Sequence, residues 1–150
     1  MESFLLSVHV LAGIVFVGPV TVATSLFPRY TPTVDHAAAD TSVRNVDTAR
    51  LLHRITRSYG LMALAVPVVG LVLAMVQGRT TEIWVVVAMV LTAVAGALLA
   101  LRIAPAQSEA LSVPDDGSQL KRLSMLAGIF NLLWAVVVVL MIVRPGSDYS

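Results

Sequence analysis

Few side chains in this chain can do chemistry inside an apolar setting. His9 is the only ionisable group in the apolar run from Phe4 to Phe27. An imidazole there can ligate a metal or a haem iron, or stay neutral and hydrogen-bonded to a backbone carbonyl, a hydroxyl or water. Met75, Met89 and Met141 add thioethers, soft donors that suit copper or haem iron and that serve equally as apolar filler. Asn131 is an amide within another apolar run. A fourth group, Arg50, His53, Arg54 and Arg57, recurs at helical spacing beside such a run. It suits anionic lipid headgroups, at about 1 kcal/mol per basic residue, or an anionic substrate or haem propionate.

Composition narrows the setting in which these groups act. Of 150 residues 57% are hydrophobic and 13% charged, about half the charge of an ordinary soluble chain. Four blocks carry no Asp, Glu, Lys or Arg: 4–27, 58–77, 83–101 and 123–143. At 1.5 Å per residue, each block of about 20 residues spans the roughly 30 Å hydrocarbon core of a bilayer. The expected fold is therefore all-α, a single four-transmembrane-helix bundle over residues 1–150 with spans near 4–27, 58–76, 83–101 and 123–143. Cysteine is absent, which excludes disulfides, thiolate metal sites and catalytic thiols. A net charge of +1 with no basic stripe gives no nucleic-acid footprint. Glu2 is the one charged side chain before the first apolar run, which ends without a small-x-small pattern, so it is expected to remain as a helix.

Prolines punctuate these helices. Gly18-Pro19 and Pro67 predict kinks in the first and second spans, and Pro28-Arg29 predicts the end of the first. The loop between them, 28–57, is the only long polar segment. Its second part predicts a short interfacial helix capped by Thr41 or Ser42 and running into the second span. Gln77 to Thr81 reads as a tight turn that makes the second and third spans antiparallel neighbours. Ala88, Thr92, Gly96 and Ala100 form a small-residue stripe facing Ala127, Asn131 and Ala135, with an expected Asn131–Thr92 hydrogen bond. The same stripe is compatible with a homodimer or a larger membrane complex.

Loops one and three hold Arg29, Arg44, Arg50, Arg54, Arg57, Arg102, Lys121 and Arg122. The opposite side holds Arg79 and Arg144. The positive-inside rule then puts both termini outside the inner or plasma membrane. His9 lies roughly 7 Å inside the outer end, with Met89 nearest in depth, and His53 lies on the order of 25 Å away, while His36 is in the loop. A bis-histidine haem within one chain is disfavoured by that separation. No Asp, Glu or Lys lies within a span, so a carboxylate proton relay has no residues to use.

Leu6-Ser7-Val8-His9-Val10-Leu11-Ala12-Gly13, then Phe16-Val17-Gly18 and an apolar run to Pro28-Arg29, resembles the start of small four-helix bacterial membrane proteins related to the copper-resistance D group. Arg50-Leu51-Leu52-His53-Arg54 is similar to the approach to helix two in an uncharacterised branch of that group. A more distant resemblance is to the HemJ-type protoporphyrinogen oxidase, which implies haem b binding through a helix-one histidine, here His9. The chain departs from that enzyme in lacking a Lys within any span and in having Gly18-Pro19. The expectation is a small non-enzymatic membrane component. The alternatives are a haem b redox protein using His9, or a copper-handling protein using His9 with Met89 or Met75.

Overall fold

The computed structural model describes residues 1–34 and 43–147. His36, Thr41 and Ser42 lie outside the described residues. Among the described residues there are four helices long and apolar enough to cross a membrane: α1 Glu2–Tyr30, α2 Val46–Val76, α3 Ile83–Ser112 and α4 Ser118–Val143. No strand occurs among them.

Each helix is longer than its uncharged block, because the ends are secured by polar groups that hydropathy does not register. α1 runs past Pro28 to Tyr30. The Arg44 guanidinium then donates to the carbonyls of Pro28 and Thr31 at 3.1 and 2.6 Å, and the Asn45 N–H donates to the Tyr30 carbonyl. These are carbonyls that a helix C-terminus leaves without intrahelical donors. Asn45 in turn caps α2, its side-chain oxygen accepting from the N–H groups of Asp47 and Thr48. The amphipathic segment expected to run into the second span is the first half of α2, with Asn45 and not Thr41 or Ser42 as its cap. α4 begins five residues before its apolar block, after Gly117, whose φ of 96° suits a residue without Cβ. The Asp115 carboxylate accepts from the N–H groups of Gly117 and Gln119. Those bonds hold its pKa below the usual Asp value, that to Gly117 contributing most.

Prolines deform the helices without ending them. Gly13–Val17 and Leu99–Ile103 are wide π-type turns, and each is followed two residues later by a proline, Pro19 or Pro105. A proline cannot donate to the carbonyl four residues back and its ring clashes there; a widened turn accommodates both defects. Pro67 acts differently. Ala63 and Leu64 form a turn, and the Val66 N–H closes a short bond to the Ala63 carbonyl that Pro67 cannot reach.

α1 and α2 run antiparallel along their lengths, and α3 packs on α4. α2 and α3 follow each other through a tight turn but touch little at that end. The main core fills the other half of the bundle, with Val20, Ala23, Phe27, Leu52, Ala95, Leu99, Ile103, Leu123 and Phe130. Leu61, Ile83, Leu101, Leu132 and Ile142 all lie exposed on the outside. On α3 the buried line is Val85, Ala88, Ala95, Leu99 and Ile103. The expected stripe therefore holds at Ala88 and drifts off at Ala100, which is exposed, as is Ala135 on α4. A Cβ at Gly96 would meet nothing within 4 Å, so this glycine does not mark a close backbone approach.

Candidate functional site

The site is built at the end of the bundle where α2 and α3 separate. His9, on the second turn of α1, is buried. Its Nδ1 lies 3.0 Å from the Val66 carbonyl oxygen on α2. A carbonyl only accepts, so Nδ1 carries the proton, and in the neutral ring Nε2 is left with its lone pair. The imidazole fits against α2 because Gly70, one turn beyond Val66, has no side chain. A Cβ there would fall 2.7 Å from His9 Cε1. A glycine inside an otherwise apolar helix is costly in a soluble setting, and this contact gives it a reason.

His9 and Gly70 form one wall of a cavity of about 90 Å³ that Trp84, Met89, Trp134 and Met141 complete. A smaller cavity of about 40 Å³ adjoins it, sharing Pro67, Thr92 and Trp134 and running toward Phe130. Trp134 meets the Phe130 ring edge-on, with centroids 6.3 Å apart. Its buried Nε1–H has no acceptor among the described residues. The rim is polar. The Trp84 indole N–H donates to the Glu82 carboxylate, which also pairs with Arg79 at 3.6 Å, and the Arg144 guanidinium lies 5.6 Å from the Trp84 ring centroid.

The expected site residues are thus distributed as follows. His9 and Met89 line one cavity, joined by Met141. Met75 does not line it; it is 60% exposed on the outside of α2. Thr92 lines the cavity, but Asn131 turns the other way and donates from Nδ2 to Ser25 Oγ at 2.9 Å, so the interhelical bond joins α4 to α1 instead of α3. In the basic group, Arg50, Arg54 and Arg57 are exposed, and Arg50 pairs with Asp47 at 3.5 Å. His53 leaves that face. Its Nδ1 donates to Gln107 Oε1 at 3.0 Å, and its ring lies 6.5 Å from that of Phe27. Thirteen residues of α2 separate His53 from Val66, a rise of about 20 Å, so the two histidines serve opposite ends.

Sequence reasoning missed Gly70, Trp134 and Gln107. Gln107 is fully buried although it falls in what hydropathy reads as a loop. Nothing in its spacing marks it, because α3 extends to Ser112 through the wide turn before Pro105.

Chemically, the cavity offers one sp² nitrogen acceptor, the Thr92 side chain and two thioethers inside largely apolar walls. His9 with Met89 and Met141 is a donor set for a soft ion such as Cu(I). The bond from Nδ1 to a carbonyl is the usual outer partner of a ligating histidine. A porphyrin is another matter. Sites for drug-sized molecules enclose roughly 300 Å³ or more, so this cavity takes a macrocycle only if α2 and α3 move apart. Among the described residues no group of three His, Cys, Asp or Glu is placed to hold a metal ion. Comparisons of the chain with models of known families, with curated proteins and with solved structures find no match.

Proposed function

We propose that this chain is a multi-pass integral membrane protein of the inner or plasma membrane, a small non-enzymatic component with both termini outside. One observation carries the reading: the outward faces of four long helices are apolar, and only a surrounding lipid phase makes that stable. Orientation rests on the basic residues. Eight of the ten lie toward the end that holds Phe27 and two, Arg79 and Arg144, toward the end that holds His9. The exposed Arg50, Arg54 and Arg57 then lie on the cytoplasmic side, where the first half of α2 sits at the interface among anionic headgroups. A reporter that is active only outside the cell, fused after Ser150, is expected to be active. A reporter active only in the cytoplasm at that position contradicts the orientation.

The His9 cavity favours a second reading, a soft-metal site for Cu(I). His9 Nε2 and the Met89 and Met141 sulfurs would hold the ion, and Met75 would not. Competition with a Cu(I) chelator is the test. Tight binding that weakens about ten-fold or more in both His9→Ala and Met89→Leu supports the site, and binding indifferent to either substitution removes it. The haem b alternative asks more of the protein, since α2 and α3 would have to separate at the cavity.

A further inference from the structure

At the end that holds His9 the bundle is two helix pairs and not four helices around one core. Residues 2–12 of α1 pack on 65–76 of α2, and α3 packs on α4. Between the pairs α2 and α3 touch little, and among the described residues no packed interface joins α1 to α4 at this end. The gap closes lower down, where a Cβ on Gly60 would fall 3.0 Å from Leu99 Cδ2. The His9 cavity is this gap. Its lining reaches from Pro67 to Gln77 on α2 and from Trp134 to Arg144 on α4, ten residues on each and a rise of about 15 Å. That is the depth of one leaflet, half of the roughly 30 Å hydrocarbon core. The 40 Å³ cavity continues the path toward Gly60 and Phe130.

A volume of about 90 Å³ drawn out over that length is thin. It is too narrow for a partner helix about 10 Å across, and it falls below the roughly 150 Å³ of a cavity that takes benzene. A single unbranched hydrocarbon chain is slimmer than either, and a crevice left open where α2 and α3 part encloses only some of it. Wall atoms with nothing against them lose their dispersion contacts, so a chain from the surrounding lipid gains by filling the space.

The polar lining is graded along the path: Arg144, Gln77 and Trp84 stand at the mouth, His9 and Thr92 further in. Arg144 has φ 46°, a left-handed backbone that is costly for a residue with a Cβ. Its Nε–H donates to the Met141 carbonyl at 3.2 Å, and its guanidinium lies against the Trp84 ring. Among the described residues no carboxylate pairs with it, whereas Arg79, the other cation at this end, is matched by Glu82. The mouth therefore offers one uncompensated positive charge. Inside, the Thr92 hydroxyl can turn onto the carbonyl four residues back, as Ser and Thr do within helices, and let an apolar chain pass. His9 Nε2 gains nothing from hydrocarbon, so a chain in the crevice and a Cu(I) ion on His9 exclude one another.

We propose that the crevice holds one acyl chain of an anionic phospholipid from the adjoining leaflet. Its phosphate sits on the Arg144 guanidinium, its ester carbonyl accepts from the Gln77 amide, and its chain passes between Ala74 and Ala88 toward Thr92. This rests on the proposed membrane setting but not on the orientation, since the crevice serves whichever leaflet it opens to. A protein that fails to enter lipid nanodiscs refutes the setting. One that enters them and meets only bulk lipid refutes this site alone.

Trp84→Phe leaves Trp134, in the inner part of the crevice, as the one tryptophan of the chain. The full chain with that substitution, in phosphatidylcholine nanodiscs with a metal chelator present, receives rising fractions of phosphatidylglycerol or phosphatidylcholine dibrominated in mid-chain. Bromine quenches the indole on contact. Quenching is expected to saturate at about ten-fold lower fraction with the brominated phosphatidylglycerol than with the brominated phosphatidylcholine. Arg144→Gln is expected to bring the two lipids level. Ala88→Leu and Ala74→Leu, which fill the crevice from the α3 and α2 walls, are each expected to abolish the saturable quenching. Quenching that follows the bulk fraction equally for both headgroups overturns the proposal. So does a phosphatidylglycerol preference that survives Arg144→Gln, or saturable quenching that survives both leucine substitutions.

Discussion

The two ends of the bundle are made from nearly the same residue types and are packed differently. At the end that holds Phe27, large side chains from all four helices meet: Phe27 from α1, Leu52 from α2, Leu99 and Ile103 from α3, and Leu123 and Phe130 from α4. At the end that holds His9, the buried positions are His9, Ala74 and Ala88 with the mid-sized Val66, Leu73 and Val85, no aromatic side chain is fully buried among them, and a cavity remains. In the lipid setting proposed above, hydrophobicity does not drive helices together, so contact must come from shape and hydrogen bonds. Apolar character alone therefore does not close an interface. Side-chain volume at the facing positions does, and only one end supplies it.

The largest expected effect is the loss of the closed end. Phe27 is fully buried, and Phe27→Ala is expected to cost about 3 kcal/mol, toward the lower bound for buried aromatics because in the proposed bilayer the ring leaves for lipid and not water. Reversible unfolding in detergent or bicelles measures it. Met89→Ala at the open end is expected to cost under about 1 kcal/mol, since its side chain already borders empty space. Equal costs would break the contrast. Next is the polar bond inside the closed end. Gln107→Leu leaves His53 Nδ1–H without its acceptor and is expected to cost about 1 kcal/mol, while His53→Phe combined with Gln107→Leu recovers most of that. A double-mutant cycle that shows no coupling would mean the bond does not help hold α2 to α3.

The smallest effect concerns the cap of α4. Asp115 has its carboxyl pKa lowered in the folded protein by the N–H groups of Gly117 and Gln119, so its ionised form favours folding. That contribution is fully present above the unfolded Asp value near 3.8 and is lost as pH falls below it through the lower folded value. Asp115→Asn is expected to flatten this acid dependence slightly, as read from unfolding midpoints between pH 5 and pH 2. An unchanged pH profile would show that the cap adds nothing to stability.

The four long apolar helices were legible in the sequence, because apolar length is a one-dimensional property, and the small residues of α3 and α4 pointed to their pairing. So was the depth match between His9 and Met89, which follows from helical rise. The helix ends were not legible, since they depend on Arg44, Asn45 and Asp115 reaching groups distant in the chain or specific to one loop. Nor was the choice of partner for Asn131. Spacing gives the face of a helix only to within a turn, and Ser25 and Thr92 flank α4 on neighbouring sides. Gly70 illustrates the rest. A glycine on an apolar helix has many uses, and only the imidazole lying against it identifies this one.

The contrast between the two ends has an internal control on one helix. Ala88 and Ala95 are two turns apart on the buried face of α3, 3% and 0% exposed, with Ala88 lining the cavity and Ala95 in the closed core. The chain has no cysteine, so Ala88→Cys and Ala95→Cys each give a single thiol. With a small, uncharged methanethiosulfonate reagent and the protein in nanodiscs, Ala88→Cys is expected to be modified and Ala95→Cys to stay protected until the protein is unfolded. Equal protection, or equal reaction, at the two positions would contradict an open end joined to a closed one.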